Sequence, residues 1–143
     1  RLAVSLHKTP YREQAAVIDA MMRTLPIARC YIDSNGIGAQ LAEDAELMHP
    51  GAAFGYTFSN PSKAAMATLT KKTLQLGQLQ IPADRDLRYQ MHAIKRGSTN
   101  ANATTYESDR SEKHHADKYW ALALALTAAK AVTGIIDPFE IWH

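Results

Sequence analysis

The segment from Tyr119 to Ala129 reads YWALALALTAA and contains no charged side chain. A helix that is apolar on every face is stable in water only when other elements cover it. The chain has 143 residues, which is enough to supply that cover within one domain, and we take residues 1–143 as that domain. The apolar run is too short and too rich in alanine to span a bilayer, so we expect no membrane partner.

The rest of the chain alternates short apolar runs with amphipathic segments. The predicted strands are RLAVSL, ARCYID, FGYTFS and QLQIP, and ARCYID is apolar enough to be covered on both faces. The predicted helices are TPYREQAAVIDAMMRTL, GAQLAEDAELM, NPSKAAMATLTKKTLQLG and DRDLRYQMHAIKRG, with Thr9, Asn60 and Asp84 as N-caps. A polar loop follows, with a brief strand around Thr104 to Glu107. Strands that alternate with helices predict an α/β fold with a mostly parallel sheet.

Composition excludes few classes of partner. Apolar residues make up 46% and charged residues 21% of the chain, which is the balance of an ordinary globular domain. The net charge of +2 permits a nucleic-acid partner without requiring one. Cys30 is the only cysteine and lies in an apolar run, so an internal disulfide is excluded and a buried thiol in a reducing compartment is expected.

Asp33 ends the predicted strand ARCYID and is soon followed by Gly36 and Gly38. This order predicts a carboxylate at the carboxyl edge of the sheet, where open α/β sheets bind ligands, and the glycines permit a tight turn beside it. The alternative is that Asp33, or Asn35, only caps the next helix. A dinucleotide site is excluded because Leu41 replaces the third glycine of G-x-G-x-x-G, and no G-x-x-x-x-G-K-[ST] motif supports an ATPase.

Asp117 lies in the first turn of the apolar helix. The alternative to a functional role is that it only stabilises the helix dipole. Together with Asp33 it would provide carboxylates on rigid elements, which are the ligands that Mg²⁺ and Mn²⁺ prefer, and such ions promote phosphodiester cleavage.

A zinc site with His114, His115 and His143 is disfavoured, since adjacent histidines on a helix point in different directions and the chain offers no cysteine pair.

Basic side chains are candidates for phosphate contacts, on which sequence-independent DNA binding depends. We predict Lys63, Lys95 and Arg96 as DNA-binding residues, and the last two adjoin the polar stretch GSTNANATT. Exposed lysines and arginines usually only solvate a helix face, and Asp84 and Asp86 weaken the positive field of their neighbours. Further candidates of the same kind are Lys71, Lys72, Arg85 and Arg88.

The stretch YIDSNGIGAQLAED, followed much later by HHADKYWALALALTAA, resembles the nuclease domain of phage large terminase subunits. Members of that family carry D-x-x-G-I-G-x-x-L-x-E, then a strand and a lysine-bearing helix, then G-x-L-x-I-P, and finally H-x-D-x-x-x-A-L-A-L-A. Here YTFSNPSK and GQLQIP match the middle motifs, and LHKTPYREQ resembles the start of the family's first helix. The resemblance therefore runs from Leu6 to Ala129, with the motifs in the family's order.

The resemblance implies a ribonuclease H-like α/β fold with a mixed sheet flanked by helices. It implies a metal-dependent endonuclease that uses Mg²⁺ or Mn²⁺ to cut concatemeric double-stranded DNA during genome packaging. Asp33 and Asp117 match catalytic, metal-binding aspartates, and His115 matches a supporting histidine. The implied partners are DNA, a portal protein and a small terminase subunit, and the implied setting is the cytoplasm of a bacterial host that carries a phage or prophage.

Asp109 precedes the matched HHAD segment by only a few residues. It is a further candidate for a supporting carboxylate, and the alternative is that it is a solvated loop residue.

One catalytic position of the family has no match in this chain. The family's first catalytic aspartate lies on the opening strand, whereas this chain starts on the third strand of the family's order. We therefore expect part of a longer terminase chain that lacks the first strands of the fold. The alternative function is a catalytically incomplete DNA-binding or portal-docking module. A resolvase or transposase of ribonuclease H-like fold is a third possibility, against which the GIG and ALALA motifs argue.

Overall fold

The computed structural model of the protein describes residues 4–98, 104–108 and 116–133. The described elements are α1 (Tyr11–Thr24), β1 (Cys30–Asp33), α2 (Gly38–Met48), β2 (Ala53–Tyr56), α3 (Asn60–Gln75), α4 (Arg85–Ala93), β3 (Ile94–Ser98), β4 (Thr104–Ser108) and α5 (Asp117–Thr133). β1 and β2 pair in parallel, whereas β3 and β4 form an antiparallel pair. The described strands therefore include both kinds of pairing, in a mixed α/β architecture.

Helices cover both faces of the parallel pair β1–β2. On one face, Tyr31 and Tyr56 pack against Met66 of α3 and against Leu124 of α5. The other face lies against α2, and α1 packs on the outside of α2. The order of layers is therefore α1 and α2, then the sheet, then α3 and α5, which agrees with the prediction that ARCYID is covered on both faces.

Tyr11 joins the two helices of the outer layer. Its hydroxyl donates to the carbonyl oxygen of Gln40 at 3.0 Å and also to the carboxylate of Asp44. The hydrogen bond to Asp44 raises the pKa of Tyr11 to about 12, because loss of the phenolic proton would leave two negative charges in contact.

The observed helix starts agree with the predicted caps to within one residue. Asp84 caps α4 by accepting hydrogen bonds from the backbone N–H groups of Asp86 and Leu87. α3 begins one position earlier than predicted, because Ser59 and Ser62 form a capping box and Asn60 is the first helical residue. Thr9 does not cap α1, since its hydroxyl is directed to the carbonyl oxygen of His7.

The predicted strands differ from the observed ones in two ways. The described part of RLAVSL and the segment QLQIP are irregular. DRDLRYQMHAIKRG is not one helix, because α4 ends at Ala93 and the chain continues as β3 from Ile94. Pairing of β3 with β4, in register from Ile94 with Ser108 to Ser98 with Thr104, satisfies the backbone groups and overrides local helix propensity. The brief strand predicted around Thr104 is confirmed.

α5 is buried on one side only, although its sequence is apolar all round. The side chains on the buried side belong to Tyr119, Ala123, Leu124 and Ala128. Ala121, Ala125 and Ala129 repeat every four residues on the exposed side. Alanine presents little apolar surface to water, so that side needs no cover. No helix in the described ranges is long and apolar enough to cross a membrane.

Candidate functional site

Asp33 is the last residue of β1 and is half-buried. Its Oδ1 accepts a hydrogen bond from the backbone N–H of Asn35 at 3.0 Å. Among the described residues, no side chain caps α2, so the alternative in which Asp33 or Asn35 serves as its cap is wrong. The carboxylate instead lies in the turn between β1 and α2, at the carboxyl edge of the parallel pair.

Gly36 and Gly38, which follow Asp33, are each required at their positions for a different structural reason. Gly36 has a φ of +56°, in the left-handed region that glycine adopts without strain. At Gly38, a Cβ atom would lie 2.1 Å from the carbonyl oxygen of Asp33. This backbone-to-backbone approach leaves no room for a side chain, and it holds the end of β1 against the start of α2.

Asn35 connects the carboxyl ends of the two parallel strands, a role that the sequence did not reveal. Its Nδ2 donates to the carbonyl oxygen of Phe58 at 2.9 Å, and its Oδ1 accepts from the N–H of Phe58 at 2.7 Å. Phe58 follows β2, so Asn35 joins the loop after β1 to the segment after β2. The sequence carried no signal for this contact, because only the parallel pairing brings the two segments together.

Asp117 begins α5 and is exposed. Trp120, three residues later, packs its ring edge-on against Phe58 with a centroid distance of 5.7 Å. Phe58 lies just beyond Tyr56, which pairs with Asp33 in the sheet register. The structure therefore brings the first turn of α5, with Asp117, to the same edge of the sheet as Asp33.

Lys63 lies at this edge as well. Its Nζ is 5.4 Å from the centroid of the Trp120 ring and 6.0 Å from that of Phe58, in the range of cation–π contacts. Its backbone N–H donates to the carbonyl oxygen of Ser59, which fixes it in the first turn of α3. The rings hold the ammonium group of Lys63 where the segment after β2 meets the first turn of α5.

The other predicted site residues are less fully described. Lys95 is exposed on β3, and the backbone of Arg96 pairs with that of Tyr106 in β4. β4 packs against α3, which carries Lys63. His115 and Asp109 lie outside the described residues.

The carboxylate oxygen atoms of Asp33 and Asp117 are the type of ligand atom that a hard cation prefers. Within the described ranges no residue bonds Oδ2 of Asp33 or either carboxylate oxygen of Asp117, so these atoms are available to a ligand. Carboxylate oxygens suit Mg²⁺ and Mn²⁺. The described residues contain no group of three or more His, Cys, Asp or Glu side chains close enough to hold a metal. Asp33 and Asp117 alone would therefore be too few ligands for such an ion.

Lys118, the neighbour of Asp117, ties the start of α5 to α4. Its Nζ is 2.8 Å from Asp84 Oδ2 and 3.2 Å from Asp86 Oδ2. The hydrogen bond from Lys118 lowers the pKa of Asp84 below its ordinary value of 3.8, and it raises that of Lys118 above 10.5. The next residue, Tyr119, is buried, and burial raises the pKa of its phenol. The backbone N–H of Tyr119 donates a hydrogen bond to Gln90 Oε1 at 3.1 Å.

These pKa shifts predict how Lys118 contributes to stability at different pH values. The stability that comes from the ionised carboxylate of Asp84 is fully present above pH 3.8. It is lost as the pH falls through the lowered pKa that this group has in the folded protein. The contribution of Lys118 is present below pH 10.5 and is lost as the pH rises through its higher folded pKa. We expect Lys118→Met to lower the free energy of unfolding modestly at neutral pH and less at strongly acidic pH. Urea unfolding of both proteins at several pH values checks this, and a pH-independent difference would contradict it.

A model of the protein family described as the terminase RNaseH-like domain matches residues 6–129. This chain belongs to that family. The match covers most of this chain and includes the segments around Asp33, Lys63 and Asp117. The family inferred from the GIG and ALALA motifs is thereby confirmed.

Among solved structures, the large terminase nuclease from the thermophilic phage G20c is similar to this terminase domain, with a TM-score of 0.70 and 17% sequence identity. The alignment covers 85% of this chain and 64% of the phage nuclease, so this chain spans less than two thirds of that protein. At this identity the likeness concerns the fold, and it confirms the ribonuclease H-like class. No curated protein matches the sequence.

Proposed function

We propose that this terminase domain is a divalent-metal-dependent endonuclease that cuts concatemeric double-stranded DNA during phage genome packaging. The observation that supports this most is the arrangement of Asp33 and Asp117 at one edge of the sheet, where Lys63 also contacts the rings of Trp120 and Phe58. Membership of the terminase RNaseH-like family supports a nuclease in particular, rather than another metal-binding protein.

In this proposal the residues of the chain position the substrate and the cation. Asp33 and Asp117 would hold Mg²⁺ or Mn²⁺, and when bound such an ion activates water and stabilises the leaving oxygen. The N–H of Asn35 restrains the rotamer of Asp33, and the packing of Trp120 on Phe58 restrains the turn that carries Asp117. The ammonium group of Lys63 would attract a non-bridging oxygen of the phosphate.

The remaining candidates keep supporting roles in the proposal. His115 and Asp109 would complete or orient the ligand set, and Lys95 and Arg96 would contact the DNA backbone. The proposed partners are double-stranded DNA, the portal protein and the small terminase subunit. The proposed setting is the cytoplasm of a bacterial host that carries the phage or prophage.

Plasmid cleavage tests this function. This chain and the complete terminase are each incubated with supercoiled plasmid and Mn²⁺ or Mg²⁺, beside reactions with EDTA. We expect conversion to nicked and linear DNA with the ion, and none with EDTA, because the carboxylates alone do not activate water. Cleavage that persists in EDTA would contradict the proposed metal dependence.

The alternative is a catalytically incomplete module that binds DNA or docks on the portal. The observation that favours it is the absence of a third metal-capable side chain near Asp33 or Asp117 among the described residues. This alternative predicts salt-dependent DNA binding without cleavage, by this chain and by the complete terminase, under every metal condition.

A further inference from the structure

The exposed face of α4 carries a basic and aromatic surface, which we call the α4 face. Its side chains are three or four residues apart and so project from one side of the helix. They are Arg85, Arg88, Tyr89 and His92, all exposed. With Asp86 they line a shallow depression of about 590 Å³. Tyr89 is 57% exposed and adds an aromatic ring to this surface.

Lys118 reduces the negative charge beside the α4 face. Asp84 and Asp86 are the acidic residues that flank Arg85, and both accept hydrogen bonds from the ammonium group of Lys118. The charge of Lys118 thus compensates one of the two negative charges. Within the described parts of the chain, no acidic side chain forms a salt bridge with Arg85 or Arg88. Arg85, Arg88 and Lys118 carry three positive charges against the two negative charges of Asp84 and Asp86, so the net charge of this group is +1.

α4 is anchored to the start of α5, next to the candidate site. Lys118, which bonds to Asp84 at the start of α4, is the residue directly after Asp117. Gln90, near the other end of α4, accepts a hydrogen bond from the N–H of Tyr119. Both contacts fix α4 beside the first turn of α5, which carries Asp117, and the α4 face is the side of this helix that remains exposed.

We propose that the α4 face binds the phosphate backbone of the duplex DNA that flanks the cleavage site. Arg85 and Arg88 would contact phosphates, which requires no particular base sequence. The surface would add affinity and orient the duplex, and it would take no part in the chemistry. This proposal rests on the proposed function, which supplies DNA as the substrate.

The test is DNA binding by the full chain in EDTA. A fluorescent duplex of arbitrary sequence is titrated with wild-type protein and with Arg85→Glu/Arg88→Glu over a range of salt concentrations. We expect affinity to fall about 10- to 100-fold at ~0.1 M salt, and the slope of log K against log salt to become shallower by about 1 to 2. Arg85→Gln/Arg88→Gln, which removes charge without adding any, should show a smaller loss in the same direction.

The matched control is Arg12→Glu/Lys130→Glu, which changes the net charge by the same amount. Arg12 lies on α1 in the opposite layer, and Lys130 is about 20 Å along α5 from Asp117. We expect this variant to lose less than about threefold in affinity, since its charges lie away from the proposed path. Equal losses in the two charge-reversal variants would overturn the proposal, because total charge would then explain binding.

A fluorescent polyglutamate peptide distinguishes the other kind of partner. If Arg85→Glu/Arg88→Glu loses peptide binding but keeps wild-type DNA affinity, the α4 face serves an acidic protein and the proposal is wrong. Because binding is measured without metal, its outcome is separate from that of the cleavage assay. If this chain binds DNA through the α4 face but the complete terminase never cuts DNA, the proposed nuclease is overturned and this inference stands.

Discussion

Replacing Asp33 or Asp117 by asparagine is expected to lower DNA cleavage by the complete terminase about 100- to 1,000-fold or more. The amide has the shape of the carboxylate and can still accept the hydrogen bond that Asp33 receives from Asn35. It lacks the negative charge on which cation affinity depends, and the lost electrostatic stabilisation amounts to several kcal/mol, about tenfold in rate for each 1.4 kcal/mol. Cleavage of plasmid with Mn²⁺ is the measurement.

The matched control for these variants is Glu13→Gln on α1, which makes the same chemical change on the opposite layer. It should cleave DNA at the wild-type rate. All three variants should unfold close to the wild-type temperature, which shows that the fold is intact. Binding of Mn²⁺, measured by calorimetry, should weaken in Asp33→Asn and Asp117→Asn only. Full activity in either aspartate variant would remove that residue from the proposed site.

Replacing Gly38 by alanine is expected to have the largest effect on stability. The added Cβ would lie 2.1 Å from the carbonyl oxygen of Asp33, so β1 and α2 must move apart at the point where the candidate carboxylate is held. Overpacking of this kind costs about 3 kcal/mol, which lowers the melting temperature by roughly 10 °C. We also expect cleavage to fall, because the shift displaces Asp33.

Gly36→Ala separates this steric effect from backbone strain. Gly36 has a φ of +56°, and a Cβ there would have no atom within 4 Å. Its replacement therefore costs only the strain of a left-handed alanine, about 1 kcal/mol. Thermal unfolding of the two variants measures the difference. Equal losses would show that the close approach of Gly38 to Asp33 is not what the turn depends on.

Local patterns in the sequence predicted most helices and several of their ends. The apolar spacing of α1, the start and stop signals of α3, the cap at Asp84 and the apolar run before Asp33 are local patterns of neighbouring residues. They can therefore be recognised without the fold. The family resemblance likewise rests on short motifs, and it directed attention to Asp33 and Asp117. The strands were predicted less well, since a strand forms only where a partner satisfies its backbone. QLQIP stays irregular, whereas Ile94 to Ser98 leaves the predicted helix to pair with β4.

The sequence by itself thus determined the fold class, the family and the candidate carboxylates, because periodicity and motif order are properties of the chain. Tertiary structure alone decided which of these groups meet. Three examples are the link from Asn35 to Phe58, the packing of Trp120 on Phe58, and the hydrogen bonds from Lys118 to Asp84 and Asp86. The residues in these contacts are 23 to 62 positions apart along the sequence. No local pattern encodes such contacts, since they form only when the parallel strands and α5 pack together. The charge of the α4 face follows from them.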